Sequence, residues 1–358
     1  MYRRTFLRCA LLLPTLARAA NPATVSPYPA VVPGRRLVFP RDHAAHPEFR
    51  TEWWYVTGAL DTPQADIGFQ LTFFRSRPGI AEGLPSPLAA SQILFAHAAL
   101  SLPGDRLRHS ERSARANLGG SFSTDDCDVR IGAWQILREQ LSGGEIFRLR
   151  MQSAQFAYDL ILAPTQPPML QGEDGYSRKG HAPGLASYYV SWPQLHTTGT
   201  LVFDGRRHAA SGRAWFDHEW STAILGGGAV GWDWVGINLA DGGALMAFRL
   251  RDRHGSTVFA HAAWRQANGQ IQRFDDRSTS FTPRRIWSSP RSAARYPVEL
   301  EIRLGERVLR TLPLLDDQEL STSRPTPVTY WEGLVKLEGS FNGRGYLEMT
   351  GYAGNLQL

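Results

Sequence analysis

GRAWFDHEWSTAILGGGAVGWDWVG, residues 212–236, is the stretch from which the rest of the chain is interpreted. It holds four of the eleven Trp residues, a run of three Gly, and, besides Arg213, four ionisable groups: Asp217, His218, Glu219 and Asp233. Indole rings exclude water from a neighbouring carboxylate and raise its pKa, so that an acid stays protonated near neutral pH. If the four groups share one pocket, the stretch is an acid–base site. If they do not, it is a strand–loop–strand segment with core Trp residues and charges paired to the backbone.

Side chains alternate along an extended segment, which divides this stretch into two faces. One face carries Trp215, Asp217 and Glu219, and the other carries Phe216, His218 and Trp220. Two carboxylates on one face favour retention of a proton by one of them. A protonated acid among aromatic rings can donate to an olefin or enol and recover its proton from water. The alternative role of Asp217 is structural, as a buried acceptor for backbone N–H groups or for Arg213.

Residues 1–19 have the features of an export signal. The sequence Arg3-Arg4-Thr5-Phe6-Leu7-Arg8 is followed by an apolar run over 10–16 and a small-residue cleavage pattern at 17–19. This pattern predicts a twin-arginine signal peptide, and therefore a periplasmic or secreted protein that the twin-arginine machinery exports. The apolar run is too short to span a bilayer, so no transmembrane anchor is expected in the mature chain.

Removal of the signal changes the interpretation of charge. The formal net charge is +6, and residues 1–19 contribute four Arg and no acid, which leaves +2. A mature chain this close to neutral gives little support for a nucleic-acid partner. Its one cysteine, Cys127, lies beside Asp125, Asp126 and Asp128, which would raise a thiol pKa, so a structural role is expected.

The chain is rich in strand signals and poor in long amphipathic helical patterns. Ile67, Phe69, Leu71 and Phe73 alternate with polar or small residues, and similar patterns recur to the C-terminus. Trp54 and Gly58 repeat the spacing of Trp232 and Gly236, which favours two related halves. We therefore predict an all-β protein with an extended lead-in over 20–40, an N-terminal domain over 41–198 and a C-terminal domain over 199–358.

Two other kinds of site are poorly supported. His43 and His46 form a His-x-x-His pair with Asp42, Glu48 and Glu52 nearby, but zinc needs further ligands that the spacing does not supply. Hydrogen bonding to the first strand is the favoured role of this segment. The chain has no Gly-x-Ser-x-Gly elbow and no phosphate-binding glycine loop. No metal and no cofactor are predicted.

Several stretches together resemble the tandem lipocalin-like proteins of the AttH and carotenoid-hydratase group, some of which are labelled secreted hydrolases. They are FPRDHAAHPEFRTEWWYVTGAL (39–60), GFQLTFFRSR (68–77), GYSRKG with ASYYVSWPQL (175–195), GRAWFDHEWS (212–221), GWDWVGINL (231–239) and YWEG with GRGYLEMTGYAG (330–354). They span nearly the whole mature chain. The resemblance implies two lipocalin-like antiparallel β-barrel domains in tandem, with a ligand cavity at or near their junction.

The resemblance also implies a role for Asp217. In the carotenoid hydratases a similar aromatic-x-Asp-His motif carries the acid proposed to protonate an isoprenoid double bond, and it corresponds to Trp215, Asp217 and His218 here. The aromatic residue is usually Tyr in those enzymes. Their preceding His-x-Trp corresponds to residues 188–190 of this chain, Tyr-Tyr-Val, so both of those partners differ.

These observations predict an exported protein that binds a large apolar ligand, such as an isoprenoid, a lipid or a polyene, within or between two β-barrels. The predicted activity is that of a hydratase or isomerase, with Asp217 as the catalytic acid assisted by His218 or Glu219. The alternative is a lipocalin-like carrier without chemistry. The predicted ligand-binding residues are aromatic: Trp54, Tyr176, Tyr188, Trp215, Trp220, Trp232, Trp234 and Trp331.

Overall fold

The computed structural model describes residues 28–62, 65–84, 86, 89–105, 107–323 and 327–356. The predicted signal peptide and the first part of the lead-in, up to residue 27, lie outside this range. Over the described residues, the chain forms one short 3₁₀ helix, Arg41–His43, and 23 β-strands. None of the described helical structure is long and apolar enough to cross a membrane.

The strands form two sheets that follow one another along the chain. The first contains β1 (Thr51–Asp61), β2 (Asp66–Ser76), β3 (Ile93–Ser101), β4 (Arg108–Ala116), β5 (Gly119–Phe122), β6 (Asp128–Ile131), β7 (Trp134–Leu141), β8 (Gly144–Gln152), β9 (Phe156–Ala163), β10 (Met169–Leu170), β11 (Tyr176–Arg178), β12 (Ala186–Phe203) and β13 (Arg206–Ala223). The second contains β14 (Gly231–Leu239), β15 (Ala244–Arg251), β16 (Thr257–Arg265), β17 (Ile271–Phe274), β18 (Thr279–Ser288), β19 (Arg295–Leu304), β20 (Arg307–Pro313), β21 (Glu319–Thr322), β22 (Val328–Gly339) and β23 (Gly343–Met349).

The first sheet closes into a barrel. Neighbouring strands pair from β1 to β9, β13 pairs with β1, and β12 joins β13 to β9 through a register that runs from His196 opposite Ala163 to Phe203 opposite Phe156. The pairings are antiparallel except for the short β4–β5 contact. Along β9, residues 156, 158, 160 and 162 are buried and those between them are more exposed. This period of two identifies the face of β9 that points into the barrel. The strand keeps this register because burying one large apolar side chain stabilises the fold by about 1.5–3 kcal/mol.

The second sheet curls without closing. Its strand order is β17-β16-β15-β14-β23-β22-β20-β19-β18, and β21 pairs with β22. In the described residues its two edge strands, β17 and β18, are not hydrogen-bonded to each other. The predicted all-β, tandem lipocalin-like fold is confirmed, with one closed barrel and one curled half-barrel in place of two closed barrels.

The change from one sheet to the other comes between β13 and β14, after Ala223. The boundary predicted between residues 198 and 199 instead falls inside β12, an 18-residue strand of the first sheet. The sequence placed the start of the second domain at the strand signal that begins at residue 199. In the structure Gly199 has a φ of +156° and a Cβ would lie 2.2 Å from the Asp159 carbonyl oxygen, so the glycine serves strand pairing.

The two sheets pack face to face. An apolar cluster joins Tyr55 and Trp215 of the first sheet to Trp234, Leu334 and Tyr346 of the second. The approach is close at Gly68 of β2, where a Cβ would lie 2.6 Å from the Tyr346 hydroxyl oxygen and 2.9 Å from the Leu334 Cβ. The outer face of β1, β12 and β13 is therefore a wall of the contact between the sheets, and we call this contact the inter-sheet face.

Candidate functional site

Asp217 lies in the middle of β13 and points into the inter-sheet face. The alternation predicted for this strand is present: Phe216 and Trp220 belong to the barrel core, whereas Trp215 belongs to the apolar cluster between the sheets. Tyr55 of β1 and Ser191 of β12 stand opposite Asp217 on its two neighbouring strands. Only 2% of Asp217 is exposed.

Three neutral groups donate hydrogen bonds to the Asp217 carboxylate. The Ser191 hydroxyl and the Trp215 indole N–H donate to Oδ1 over 2.5 and 2.6 Å, and the Tyr189 hydroxyl donates to Oδ2 over 2.7 Å. The Tyr189 oxygen in turn accepts the Trp234 indole N–H over 3.0 Å. Because an indole N–H can only donate, this contact turns the Tyr189 proton towards Asp217.

Burial governs the protonation of Asp217. Removal from water raises its pKa from the ordinary value of 3.8 to about 7, against the opposing effect of the three donors, and the Glu219 charge adds to the rise. A carboxyl with this pKa is populated in both forms near neutral pH, which is the condition for a general acid. The three donors remain in place to stabilise the anion that forms when the proton leaves.

Glu219 lies two residues further along β13 and therefore on the same face as Asp217. It is buried, and its Oε1 lies 2.8 Å from the Lys179 ammonium. Lys179 follows β11 and is itself only 5% exposed, with its nitrogen 4.7 Å from the ring centroid of Tyr189 and 4.4 Å from that of Phe248. The ion pair and the two rings compensate in part for burial of the charges.

The second sheet adds two further carboxyls to the inter-sheet face. Glu332 of β22 and Glu348 of β23 stand directly opposite each other. Burial raises the pKa of Glu348 to about 7, and burial together with the Glu348 charge raises that of Glu332 well above its ordinary value. The Trp232 indole N–H donates to Glu348 over 3.1 Å. Asp217 therefore belongs to a larger acidic, aromatic region contributed by both sheets.

His218, a predicted assistant of Asp217, lies on the opposite face of β13. Its Nε2 is 2.9 Å from Glu52 Oε1, and its ring stacks on Trp54 at a centroid distance of 4.9 Å. Burial lowers its pKa despite the Glu52 carboxylate. Strand alternation is the reason for the separation: residues 217 and 218 are adjacent in sequence, and adjacent side chains point to opposite faces.

The only group of potential metal ligands among the described residues is His46, Glu52 and His218, whose ligand atoms lie within 4.8 Å of one another. These atoms already have partners. Glu52 accepts from His46, His218 and the Arg75 guanidinium, and the second ring nitrogen of His46 lies 3.0 Å from Asp42. A buried guanidinium 2.7 Å from the carboxylate is an unfavourable neighbour for a cation. The cluster fits a hydrogen-bonded network that joins the 3₁₀ helix to the first strand.

Asp233 also points away from Asp217. It is buried on the other side of β14, where Arg249 and Arg251 donate to its two oxygens over 2.7 and 3.0 Å. Because side chains alternate along a strand, the Asp233 side chain points to the face of β14 opposite to that of Trp232 and Trp234. The four ionisable groups of residues 212–236 therefore occupy three separate environments, and only Asp217 and Glu219 share one.

The predicted aromatic ligand-binding residues divide in the same way. Trp215, Trp232 and Trp234 lie at the inter-sheet face. The others pack against the cores of the two sheets or the lead-in: Trp54, Tyr176, Tyr188 and Trp220 in the barrel and Trp331 in the second sheet. The Tyr188 hydroxyl, for example, donates to the backbone of Val32 over 3.1 Å.

Neither of two cavities in the described parts of the chain is lined by Asp217 or its hydrogen-bond partners. One, of about 640 Å³, is polar and lies beside Arg108, His109 and Arg291. The other, of about 390 Å³, lies at one end of the inter-sheet face beside Ala59, Asn238 and Arg344. The side chains around Asp217 are closely packed, although Trp53, Trp232 and Glu348 at the edge of the face are partly exposed.

The interpretation of the sequence missed six residues that complete the site: Tyr55, Lys179, Tyr189, Ser191, Glu332 and Glu348. None has a diagnostic neighbour in sequence. Ser191 and Tyr55 were within reach of prediction once β12, β13 and β1 were aligned, because they pair directly with Asp217. The two glutamates required knowledge of how the sheets pack.

Comparisons with known proteins agree with this architecture. The structure is similar to that of a protein assigned as AttH from Nitrosomonas europaea, with 43% identity, a TM-score of 0.84, and coverage of 90% of this chain and 99% of that one. It is also similar in fold to kievitone hydratase from Nectria haematococca, with 17% identity, a TM-score of 0.65, and coverage of 88% and 93%. A comparison with the curated proteins gave no significant match. A model of the AttH-like family matches residues 30–352, and the chain belongs to that family.

Proposed function

We propose that the protein binds a sizeable apolar molecule at the inter-sheet face and adds water to it, or isomerises it, with Asp217 as the general acid. The observation that carries this proposal is a buried carboxyl of pKa about 7 among aromatic rings, with three donors directed at it. The fold shared with kievitone hydratase accords with a hydratase, and the apolar surroundings favour an alkene-bearing substrate.

In the proposed reaction Asp217 transfers its proton to one carbon of a double bond. The neighbouring carbon becomes electron-deficient and either combines with water or loses a different proton, which gives hydration or isomerisation. Ser191, Tyr189 and Trp215 stabilise the Asp217 anion during this step, because hydrogen bonds to a charged acceptor are stronger than those to a neutral one. Trp234 acts indirectly by fixing the direction of the Tyr189 hydroxyl.

Substrate access is proposed at the edge of the inter-sheet face. Trp53 and Trp232 are partly exposed there, whereas Trp215 and Trp234 deeper in the face are buried. A ligand that reaches Asp217 must separate these rings, and burial of the ligand's own apolar area would compensate for the separation. We further propose that the protein acts after export, as the twin-arginine pattern of residues 3–8 predicts.

The function is tested with an apolar extract of the host's membranes. Wild type and Asp217→Asn are incubated with the extract in H₂¹⁸O. Bound compounds are detected by native mass spectrometry, and bound and released compounds are then compared by chromatography, which separates isomers of equal mass. The proposal expects a compound that gains labelled water, or is isomerised, with wild type and is left unconverted by Asp217→Asn. Absence of any bound apolar compound from both proteins would refute binding at this site.

A carrier without chemistry is the second candidate. The observation that favours it is the saturation of Asp217 by three hydrogen bonds in a closely packed face, which also suits a purely structural carboxyl. The same experiment separates the two functions, since a carrier would release its ligand unchanged from wild type and from Asp217→Asn.

A further inference from the structure

The inter-sheet face contains a pair of carboxyls that the proposed chemistry has not yet used. Glu332 and Glu348 occupy directly opposed positions on β22 and β23, where Cβ atoms are about 4.5–5.5 Å apart. Tyr330 and Leu334, the alternate neighbours of Glu332, face the first sheet, as the 2.8 Å hydrogen bond between the Tyr330 hydroxyl and His97 Nδ1 demonstrates. The Glu332 side chain is therefore directed at the first sheet as well.

The pair has no cation to balance it among the described residues. Glu348 has the Trp232 indole N–H as a donor, and Lys179, the only buried cation of this face, is paired with Glu219. Other buried glutamates of the protein are compensated: Arg285 and Arg310 donate to Glu299, and Arg75 donates to Glu52. Like charges directly opposite each other in a sheet are destabilising, and burial increases the cost.

Two buried polar atoms near the pair lack hydrogen-bond partners in the part of the chain that the structure describes: Oε1 of Glu332 and the hydroxyl of Tyr55. Glu332 is 3% exposed and Tyr55 6%. Tyr55 is opposite Asp217 on the neighbouring strand, and the Tyr55 and Tyr330 hydroxyls both lie close enough to Glu332 to lower the pKa of that carboxyl. The two unpaired atoms therefore approach each other without meeting hydrogen-bond geometry. Unpaired polar atoms on facing walls mark a place for a polar group, such as a water molecule or a ligand hydroxyl.

We propose that Glu332 and Glu348 retain one proton between them at neutral pH and form the second acid–base group of the site, in which the ionised member accepts the proton of the attacking water. This role rests on the proposed hydration, whereas the protonation of the pair does not. Tyr55 lies between the pair and Asp217, and its hydroxyl positions the water.

The step balances with water as the only co-reactant. The O–H bond of Asp217 and the π bond of the alkene break, and the π electrons form a C–H bond to the transferred proton, which leaves the other alkene carbon cationic. The water oxygen forms a C–O bond to that carbon, one water O–H bond breaks, and the proton passes to the carboxylate of the Glu332–Glu348 pair. The product is an alcohol, and return of the proton from the pair to Asp217 restores the starting state.

The charged and titratable groups around the pair come from both sheets. The first sheet and its connections contribute Tyr55, His97, Lys179, Asp217 and Glu219, and the second contributes Tyr330 and Tyr346. Because Asp217 titrates in the same range, its contribution must be removed before that of the pair is measured. The test is therefore made in the Asp217→Asn background, where one carboxyl of the face is absent.

The first measurement needs no substrate. The unfolding equilibrium constant of Asp217→Asn is compared between pH 6 and pH 7 with that of the same protein carrying Glu332→Gln and Glu348→Gln. A proton held only by the folded state makes this constant rise about five- to tenfold over this pH unit, and the added Gln substitutions are expected to abolish that rise. Addition of Glu299→Gln instead is the matched control and is expected to leave the rise in place. If the unfolding equilibrium constant rises equally with pH in the protein with the Glu332–Glu348 pair and in the protein without it, the proposal is overturned.

Infrared spectroscopy covers the case in which the triple variant fails to fold. Asp217→Asn at pH 7 is expected to retain the carbonyl stretch of at least one protonated carboxyl that shifts in D₂O and weakens in Glu332→Gln. Absence of any protonated carboxyl in the folded Asp217→Asn protein would refute the retained proton.

The second measurement tests the base role with the membrane extract in H₂¹⁸O. Glu332→Gln is expected to slow incorporation of labelled water about 10²–10⁴-fold, the usual effect of losing a general base. If wild type incorporates water and Glu332→Gln does so equally fast, the base role is wrong while the acid role of Asp217 stands. If wild type incorporates none although the pair titrates as expected, the proposed hydration fails and takes the base role with it.

Discussion

Replacement of Asp217 by Asn is expected to change how stability depends on pH. In the folded protein burial raises the Asp217 pKa to about 7, whereas the ordinary value in an unfolded chain is 3.8. Between these values the folded state holds a proton that the unfolded state has lost. A raised carboxyl pKa therefore contributes stability that is complete at low pH and is lost as the pH rises through about 7.

The magnitude follows from the two pKa values. Between pH 5 and pH 8 the wild-type protein should lose about 3 kcal/mol of unfolding free energy through this group, at most about 1.4 kcal/mol per pH unit. Asn cannot titrate. At pH 5 Asp217→Asn should be less stable than wild type by about 1–3 kcal/mol, because its amide cannot accept from all three donors. By pH 8 most or all of that deficit should have disappeared.

The assay is urea unfolding, followed by far-ultraviolet circular dichroism at pH 5, 6, 7 and 8. The difference between variant and wild type is the informative quantity, because buried histidines and the Glu332–Glu348 pair titrate in both proteins. Asp252→Asn is a suitable control. Backbone hydrogen bonds, first from Ser256, lower the pKa of Asp252, so it is ionised in both states over this range and its substitution should give a constant difference.

A constant difference between Asp217→Asn and wild type from pH 5 to pH 8 would refute the reasoning. It would mean that the three donors outweigh burial, that Asp217 is fully ionised above pH 5, and that it has no proton to give at neutral pH.

Other substitutions test the surroundings of Asp217. Tyr189→Phe removes one donor from the Asp217 carboxylate and leaves the Trp234 indole N–H without its acceptor. An infrared titration should therefore find a higher Asp217 pKa, and urea unfolding should find a free energy of unfolding lower by about 1–3 kcal/mol. An unchanged Asp217 pKa would contradict the hydrogen bond from Tyr189. Lys179→Met should destabilise the protein by about 3–5 kcal/mol at pH 8, because Glu219 is left buried and unpaired. The double variant that also carries Glu219→Gln should recover part of this loss of stability. Equal losses in the single and double variants would argue against the ion pair. Glu52→Gln should lower the free energy of unfolding by a similar amount, because Arg75 is left buried without its partner. The Asp217 titration should stay unaltered, since Glu52 and Asp217 lie on opposite sides of the sheet. A shifted Asp217 titration would count against that separation. Replacement of Arg3 and Arg4 by Lys should leave the precursor in the cytoplasm in cell fractionation, and normal export of this variant would exclude the twin-arginine route.

Much of the candidate site was predictable because alternation along a strand is local. The order Trp215-Phe216-Asp217-His218-Glu219 placed Asp217 and Glu219 on one face and His218 on the other, and the structure has this arrangement. The alternative in which all four ionisable groups of the stretch share one pocket does not hold, because the same rule separates them. His218 and Asp233 lie among partners that are distant in sequence, Glu52 in one case and Arg249 with Arg251 in the other.

The strands of the barrel could also be predicted from the sequence, but the residue at which the first sheet ends could not. Alternating apolar residues in β2, β9 and β15 identified strands, since a period of two is the signature of a half-buried sheet. The end of the first sheet was placed too early, inside β12. Glycine weakens a strand on average, but Gly199 sits where β9 approaches too closely for a Cβ.

By itself, the sequence determined that the chain is built of strands and that Asp217 and Glu219 share one face of their strand while His218 takes the other, because backbone geometry alone sets that alternation. Only the tertiary structure decided what lies opposite. Strand register brought Tyr55 and Ser191 to Asp217, and packing of the sheets brought Glu332 and Glu348 to the same face from more than a hundred residues away in the chain. The pKa of Asp217 depends on how completely both sheets exclude water from it, and that exclusion is a property of the packed molecule rather than of any segment.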